Sequence, residues 1–373
     1  MKTPLCPLSV WKNLFAAANA LREIEPWHWM SDSHVFGVQN PADQQIGYCC
    51  VLGELGEVFG LVVYLGSEGL EQHRRIQSGK LRAGSPEMIY SQTCLTAWFS
   101  KRGDLDKTDI KIATEVGLKP RGRAVWPQFR SFRPGYHPWF LTEDEANYLT
   151  LCLGQTREVA LCIRTNPEWL SAPSKGQYRV RVPVKNSDSP REAPADRPGT
   201  ARDETGQQSL FTDLAQERTG QWRDRWLTPA PLAKPVPLPV PLDEVRLQRI
   251  KNAIQAYPGT WEVDGFYMTD AVDGDDRPYY PHMLLCVDHD SGFILGTTLA
   301  NPATWPSEFV EAVLNGIEQS KFIPAKLLLR KEDLRVLFEP LAARLGIQLE
   351  ITKKLPAVDR VKREFEKFTQ RQR

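Results

Sequence analysis

Cys286-Val-Asp-His-Asp-Ser-Gly-Phe-Ile-Leu-Gly296 sets two apolar runs on either side of a short polar turn ending in glycine. That pattern is hairpin chemistry, so Met283–Val287 and Phe293–Leu299 are read as paired strands around His289–Gly292. Upstream, Asp243 is placed to cap a helix carrying Leu247, Ile250, Ile254 and Tyr257, with Pro258-Gly259 ending it. Thr260–Tyr267 then reads as a strand. Downstream, Ser307 caps a helix whose apolar face holds Phe309, Val310, Val313, Leu314 and Ile317. Ala325–Leu329 is a short buried strand, and Leu334, Leu337, Phe338, Leu341 and Leu345 trace a helix that stops at Gly346. Pro340 is expected to kink or shorten it. Ile347–Ile351 is the last strand, and Pro356 opens a final helix with Val358, Val361, Phe365 and Phe368 on one stripe.

The order is strand, hairpin, helix, strand, helix, strand, helix. With Trp261-Glu-Val-Asp264 on the first strand, the hairpin above, Leu345-Gly-Ile347 before the last strand and Asp359-Arg-Val-Lys-Arg-Glu364 on the last helix, it resembles ribonuclease H-like cores of the integrase and transposase branch. The resemblance covers about residues 260–370. It implies three carboxylates holding two divalent metals for phosphodiester cleavage. Asp264 matches the first carboxylate and Glu364 the last. The second should follow Leu327–Leu329, where Arg330-Lys331 stands instead, with Glu332 and Asp333 the nearest acids. A cation there repels Mg²⁺, so the carboxylate set is degenerate.

The N-terminal part mixes periods of two and 3.6 without strict alternation, which predicts an α+β module over residues 1–182. Helices are expected from Ser9 to Ile24, from Ser67 to Ile76, and from the Thr142-Glu-Asp-Glu145 capping box to Gly154. Strands are expected at Val35–Val38, Ile46–Leu52, Glu57–Leu65, Ile89–Phe99, Val159–Ile163 and Tyr178–Val182, with no period between Arg121 and Trp139. Trp27–Met30, Gly47-Tyr-Cys-Cys50, Phe59-Gly-Leu61 and Glu68-Gly-Leu70 resemble a bacterial domain family of unknown function, found fused to a C-terminal module of this kind. Residues 183–241 lose the hydrophobic pattern and end in Pro235-Val-Pro-Leu-Pro-Val-Pro241, which reads as a Pro-rich linker or a docking site for a Pro-binding partner. Trp222 and Trp226 suggest one segment of it that packs back on a domain. Residues 242–373 are the α/β module, expected to be a ribonuclease H-like mixed sheet flanked by helices.

At 373 residues and a net charge of +1, no global field draws the chain to nucleic acid or an anionic membrane. Seven cysteines without a C-x-x-C spacing, most of them inside apolar runs, read as reduced thiols of a cytoplasmic protein. No apolar run approaches the ~20 residues of a membrane span. Six histidines fit no triad or metal pattern, no nucleotide motif occurs, and His289 beside Asp288 reads as turn chemistry.

Three constellations remain. Residues 262–276 hold six acids and no base; Asp273-Gly-Asp-Asp276 reads as a solvated turn or a hard-cation ligand set. From Lys321 onward, 14 Lys and Arg face 7 Asp and Glu, a phosphate-neutralising face or a soluble helical surface. Arginines alternate with aromatics from Arg121 and Arg123 through Trp126 and Arg130 to Trp139, as in single-stranded nucleic acid platforms or as Arg stems over a core edge. The candidate nucleic-acid contacts are Arg330, Lys331, Lys353, Lys354, Arg360, Arg363, Arg121, Arg123, Trp126 and Arg130.

The favoured expectation is a non-catalytic binding or interaction protein without cofactor, with nucleic acid or another protein as partner and no membrane. The alternative is a divergent metal-dependent nuclease or strand-transfer enzyme using Asp264, Glu364 and Glu332 or Asp333, with Mg²⁺ or Mn²⁺ and Asp264 as metal ligand.

Overall fold

The computed structural model describes residues 6–54, 56, 58–118, 125–184, 222–232 and 240–372. It contains two mixed sheets, each flanked by helices.

The first sheet has strands β1 (Val35–Gln39), β2 (Ile46–Leu52), β3 (Gly60–Leu65), β4 (Cys94–Lys101), β5 (Val125–Phe132), β6 (Tyr178–Pro183) and β7 (Trp222–Leu227), in the order β5-β4-β3-β2-β1-β6-β7. All neighbours are antiparallel except β1 and β6. Helices α1 (Leu8–Ile24) and α5 (Glu143–Thr165) bury Trp11, Leu14, Phe15, Leu149, Cys152 and Leu153 on one face. On the other face lies α2 (Gly66–Gln77), with Leu70 against Tyr48, Val62 and Tyr64. Short helices α3 (Pro86–Ser91) and α4 (Lys107–Glu115) complete this part.

Several elements differ from expectation for local reasons. The apolar run Val159–Ile163 continues α5 instead of forming a strand: Cys152, Thr156, Val159, Ala160 and Ile163 stay on its buried face, and Gly154 sits mid-helix with open space around it. Ile89 belongs to α3, so the strand there begins only at Cys94. The stretch without visible period contains β5, whose inward positions are Pro127, Phe129 and Ser131. Its alternation is real but hidden, because two of those three residues are not hydrophobic strand formers. Pro127 is tolerated since β5 lies at the sheet edge. Trp222–Leu227 pairs along β6, so part of the Pro-rich stretch is sheet; the polyproline residues 235–239 lie outside the described residues.

The second sheet has β8 (Gln255–Tyr267), β9 (His282–Asp288), β10 (Ile294–Ala300), β11 (Phe322–Leu329) and β12 (Gln348–Ile351) in the order β10-β9-β8-β11-β12. The first three form an antiparallel meander, and β11 runs parallel to both β8 and β12. Helices α6 (Glu244–Ala253), α7 (Trp305–Ser320) and α8 (Glu332–Leu345) cover one face through Leu247, Ile250, Phe309, Val313, Leu337 and Phe338. Gly346 takes the left-handed conformation that ends α8. Pro340 stays inside α8, which runs to Leu345. Tyr257 lies in β8, not on the preceding helix, which stops at Ala253. Helix α9 (Pro356–Gln372) crosses the other face, packing Val358 and Val361, with Leu355 just before it, on Leu285 and Val287.

The two parts touch through the acidic loop after β8. Tyr136 and Tyr279 form an antiparallel bridge, His137 N donates to Pro278 O at 3.0 Å, and Tyr280 N donates to Gly135 O at 2.8 Å. Gly135 needs its φ of +80°, and a Cβ there would lie 2.9 Å from the Tyr267 hydroxyl. Arg277 reaches across to donate from Nη2 to Ser131 O at 2.7 Å and His137 O at 3.1 Å. Burial pushes its guanidinium down to about 10.

Candidate functional site

Strand β8 is central in its sheet, so both faces are buried, and residues two apart share a face. Trp261 and Val263 enter the core under α7 and α8. Glu262 and Asp264 point the other way, towards α9, and both are buried. Two acids on the inner face of a central strand demand specific partners.

Glu262 is fully buried and has two. Its Oε2 accepts from Val358 N at 2.9 Å, in the first turn of α9. Its Oε1 lies 2.6 Å from His289 Nδ1, at the hairpin turn. The carboxylate therefore caps a helix N-terminus, where unpaired N–H groups and the helix dipole favour negative charge. His289 is held by this pair in addition to its place in the turn.

Asp264, 1% exposed, faces cations. Its Oδ2 accepts from Lys362 Nζ at 2.7 Å, and Arg330 Nε lies 3.7 Å away. Lys362 Nζ also sits 3.7 Å from the centre of the Phe266 ring. Arg330 donates from Nη2 to Asp359 Oδ1 at 2.6 Å. Lys331 Nζ donates to Gly265 O at 2.7 Å. Two buried atoms of this group, Asp264 Oδ1 and Arg330 Nε, have no hydrogen-bond partner among the described residues.

The other acids expected at a metal centre stay apart. Glu364 and Asp333 are exposed. Glu332 is exposed and bound to Arg335 at 2.6 Å, which holds its carboxyl below the usual range. Among the described residues, no three His, Cys, Asp or Glu side chains come together as metal ligands. The divalent ion implied by the resemblance does not fit these residues: a lysine ammonium occupies hydrogen-bonding distance of Asp264, and the Arg330 guanidinium stands 3.7 Å from the same oxygen.

The basic residues separate into two groups. Arg330 and Lys331 are engaged as above. Lys353, Lys354, Arg360 and Arg363 are exposed on the β12–α9 connection and α9, with no acidic partner among the described residues. In the first sheet, Arg130 is bound by Asp106 at 2.9 Å and Asp109 at 2.7 Å and stacks 4.7 Å from the Phe140 ring centre. It is a packed ion pair, so the stacking-platform reading loses its central arginine. Trp126 is half-buried on β5 with its indole N–H enclosed. Arg121 and Arg123 lie outside the described residues.

Lys362 is the residue that sequence reasoning passes over. A signal exists: it stands four residues after Val358, on the buried stripe of α9, where a lysine requires a buried anion.

Two domain families match separate parts of the chain. Residues 11–181 match a domain of unknown function, DUF7309, and residues 246–366 match another, DUF6930. Neither description names an activity. No curated protein matches the sequence. Among solved structures, the magnesium complex of the HTLV-2 integrase catalytic core domain, in its trimeric form, is 16% identical. The match covers 29% of this chain and 66% of that one, with a TM-score of 0.22. That likeness is too slight to argue from.

Proposed function

We propose that the C-terminal module is a ribonuclease H-like core that has exchanged two-metal chemistry for internal cations and works as a non-catalytic binding module for nucleic acid. The ribonuclease H-like assignment rests on strand order: an antiparallel meander β10-β9-β8, extended by parallel β11 and β12, with the last helix on the opposite face from the others. The observation that carries the function is the contact of Lys362 Nζ with Asp264 at 2.7 Å. In a two-metal enzyme that carboxylate faces the ions. Here it neutralises a lysine, while Lys353, Lys354, Arg360 and Arg363 keep their charges for solvent. Exposed cations on this connection and helix, without an acidic partner among the described residues, are what phosphate contacts require.

Binding of the full chain to single- and double-stranded DNA and RNA, measured across salt concentrations, tests the proposal. Affinity is expected to fall with salt. Replacing Lys353, Lys354, Arg360 and Arg363 together by alanine should flatten that slope by roughly one for each phosphate the protein no longer neutralises. Absence of salt-dependent binding, or a slope the four substitutions leave unchanged, overturns it.

A further inference from the structure

The two sheets have four edges among the described residues, and three carry features that discourage an added strand. Strand β5 has Pro127 and Arg130, β7 has Arg223, Asp224 and Arg225, and β12 is four residues long and holds Glu350. Charges, proline and shortness are how natural sheets protect an edge. Strand β10, Ile294-Leu-Gly-Thr-Thr-Leu-Ala300, has seven residues, no charge and no proline. A bulge lies at its start, between Ile294 and Gly296, but Gly296–Ala300 runs in regular register with β9. Phe293 (70% exposed) precedes it and Leu299 (57%) stands near its end, with Ile294 and Thr297 also exposed.

Helix α7 lies level with this edge because glycines permit it. A Cβ on Gly316 would come 2.9 Å from Leu295 O, and one on Gly296 would come 3.1 Å from Ala312 O. The groove between them, about 500 Å³, is floored by the small residues Ala312 and Gly316. Glu308 and Glu311 line its beginning along the helix, and Asn315 and Gln319 its end. Glu311 is already neutralised by Arg246 at 2.7 Å.

We infer that β10 is the docking edge for a second copy of this chain, joining two five-stranded sheets through antiparallel β10–β10 pairing about a two-fold axis. A two-fold interface must complement itself. An uncharged strand with apolar side chains near both ends meets that condition. So does α7: run antiparallel to its symmetry mate, the end with carboxylates meets the end with amide donors, and the small residues face each other at the centre. The other edges would set charge against charge.

Sedimentation and light scattering of the full chain from low to high micromolar concentration test this, beside the double variant Thr297→Lys, Leu299→Lys. Both residues are exposed, so circular dichroism of the variant should match wild type. The wild-type mass is expected to rise from 42.4 kDa towards twice that value, while the variant stays at 42.4 kDa. Hydrogen exchange gives a second reading that needs no variant: amides of 294–300 should gain protection as wild-type concentration rises. A wild-type monomer at every concentration, a dimer indifferent to the two lysines, or protection mapped to another surface overturns the inference.

Discussion

A carboxylate taken out of water needs both an opposite charge and hydrogen bonds, since either alone leaves desolvation cost uncompensated. Asp264 has Lys362 for one oxygen and, among the described residues, no hydrogen-bond partner for the other, so its hold on that lysine is all the more necessary. Lys362→Met should destabilise the protein towards the lower end of the roughly 3–5 kcal/mol that follows from stranding a buried charge, because the lysine retains some solvent contact. Asp264→Asn alone should cost a similar amount. The two changes together should cost clearly less than their sum in urea unfolding; additive losses would mean the pair is not coupled. His282 offers a pH test. Its ring is buried, stacked 4.5 Å from Tyr267, and burial, with Lys331 nearby, lowers it to about 3. The unfolded chain takes up this proton near pH 6.5 and the native protein refuses it until about pH 3. Stability from this group is therefore complete above pH 6.5 and lost as pH falls towards 3. Between pH 7 and pH 5, wild type should lose about 2 kcal/mol more than His282→Phe. Equal losses would show that the ring does not titrate this way.

At the scale of elements, α9 is the part whose position decides the site, and its start is fixed by Glu262. Glu262→Gln keeps the shape but gives up the charged acceptor for Val358 N and the partner of His289. A loss of about 1–2 kcal/mol is expected, with faster hydrogen exchange in the first turn of α9 and little change in α8. Unchanged exchange there would argue against the cap. Elements are legible in sequence where their chemistry closes locally. The Thr142 capping box forms as read, with both reciprocal bonds, and the His289–Gly292 turn joins two antiparallel strands. Hidden elements depend on partners far away. Strand β5 shows its alternation only once β4 lies beside it. The apolar run at the end of α5 needs α1 across from it to declare its helical face. The site divides in the same way. That the cations Arg330-Lys331 follow the buried run Leu327–Leu329 can be read from sequence, whereas Lys362 closing on a residue 98 positions earlier is a tertiary fact.

At the scale of the molecule, the loop that reads in sequence as an acidic solvated turn joins the two parts. Its single arginine, Arg277, enters the first sheet's margin and binds backbone carbonyls, with its guanidinium 5.5 Å from the centre of the Tyr136 ring, while Tyr90 packs against Tyr267 and Tyr280 with ring centres 5.4 and 4.6 Å apart. Arg277→Ala leaves Ser131 O and His137 O without this donor, a cost of roughly 1–3 kcal/mol. Both sheets should stay folded while the 268–281 loop becomes open to limited proteolysis. A variant as resistant as wild type would show that the backbone bridges suffice. Among the described residues no helix is long and apolar enough to cross a membrane.

Lys362 Nζ, 2.7 Å from Asp264 Oδ2, stands where a divalent ion at that carboxylate would need to sit. The most direct measurement is calorimetric titration of Mg²⁺ and Mn²⁺ into the full chain, wild type beside Asp264→Asn. No binding that depends on Asp264 is expected, so the two titrations should coincide even though the variant is less stable. Saturable binding in wild type that disappears in Asp264→Asn would contradict it and reopen metal-dependent chemistry at this site.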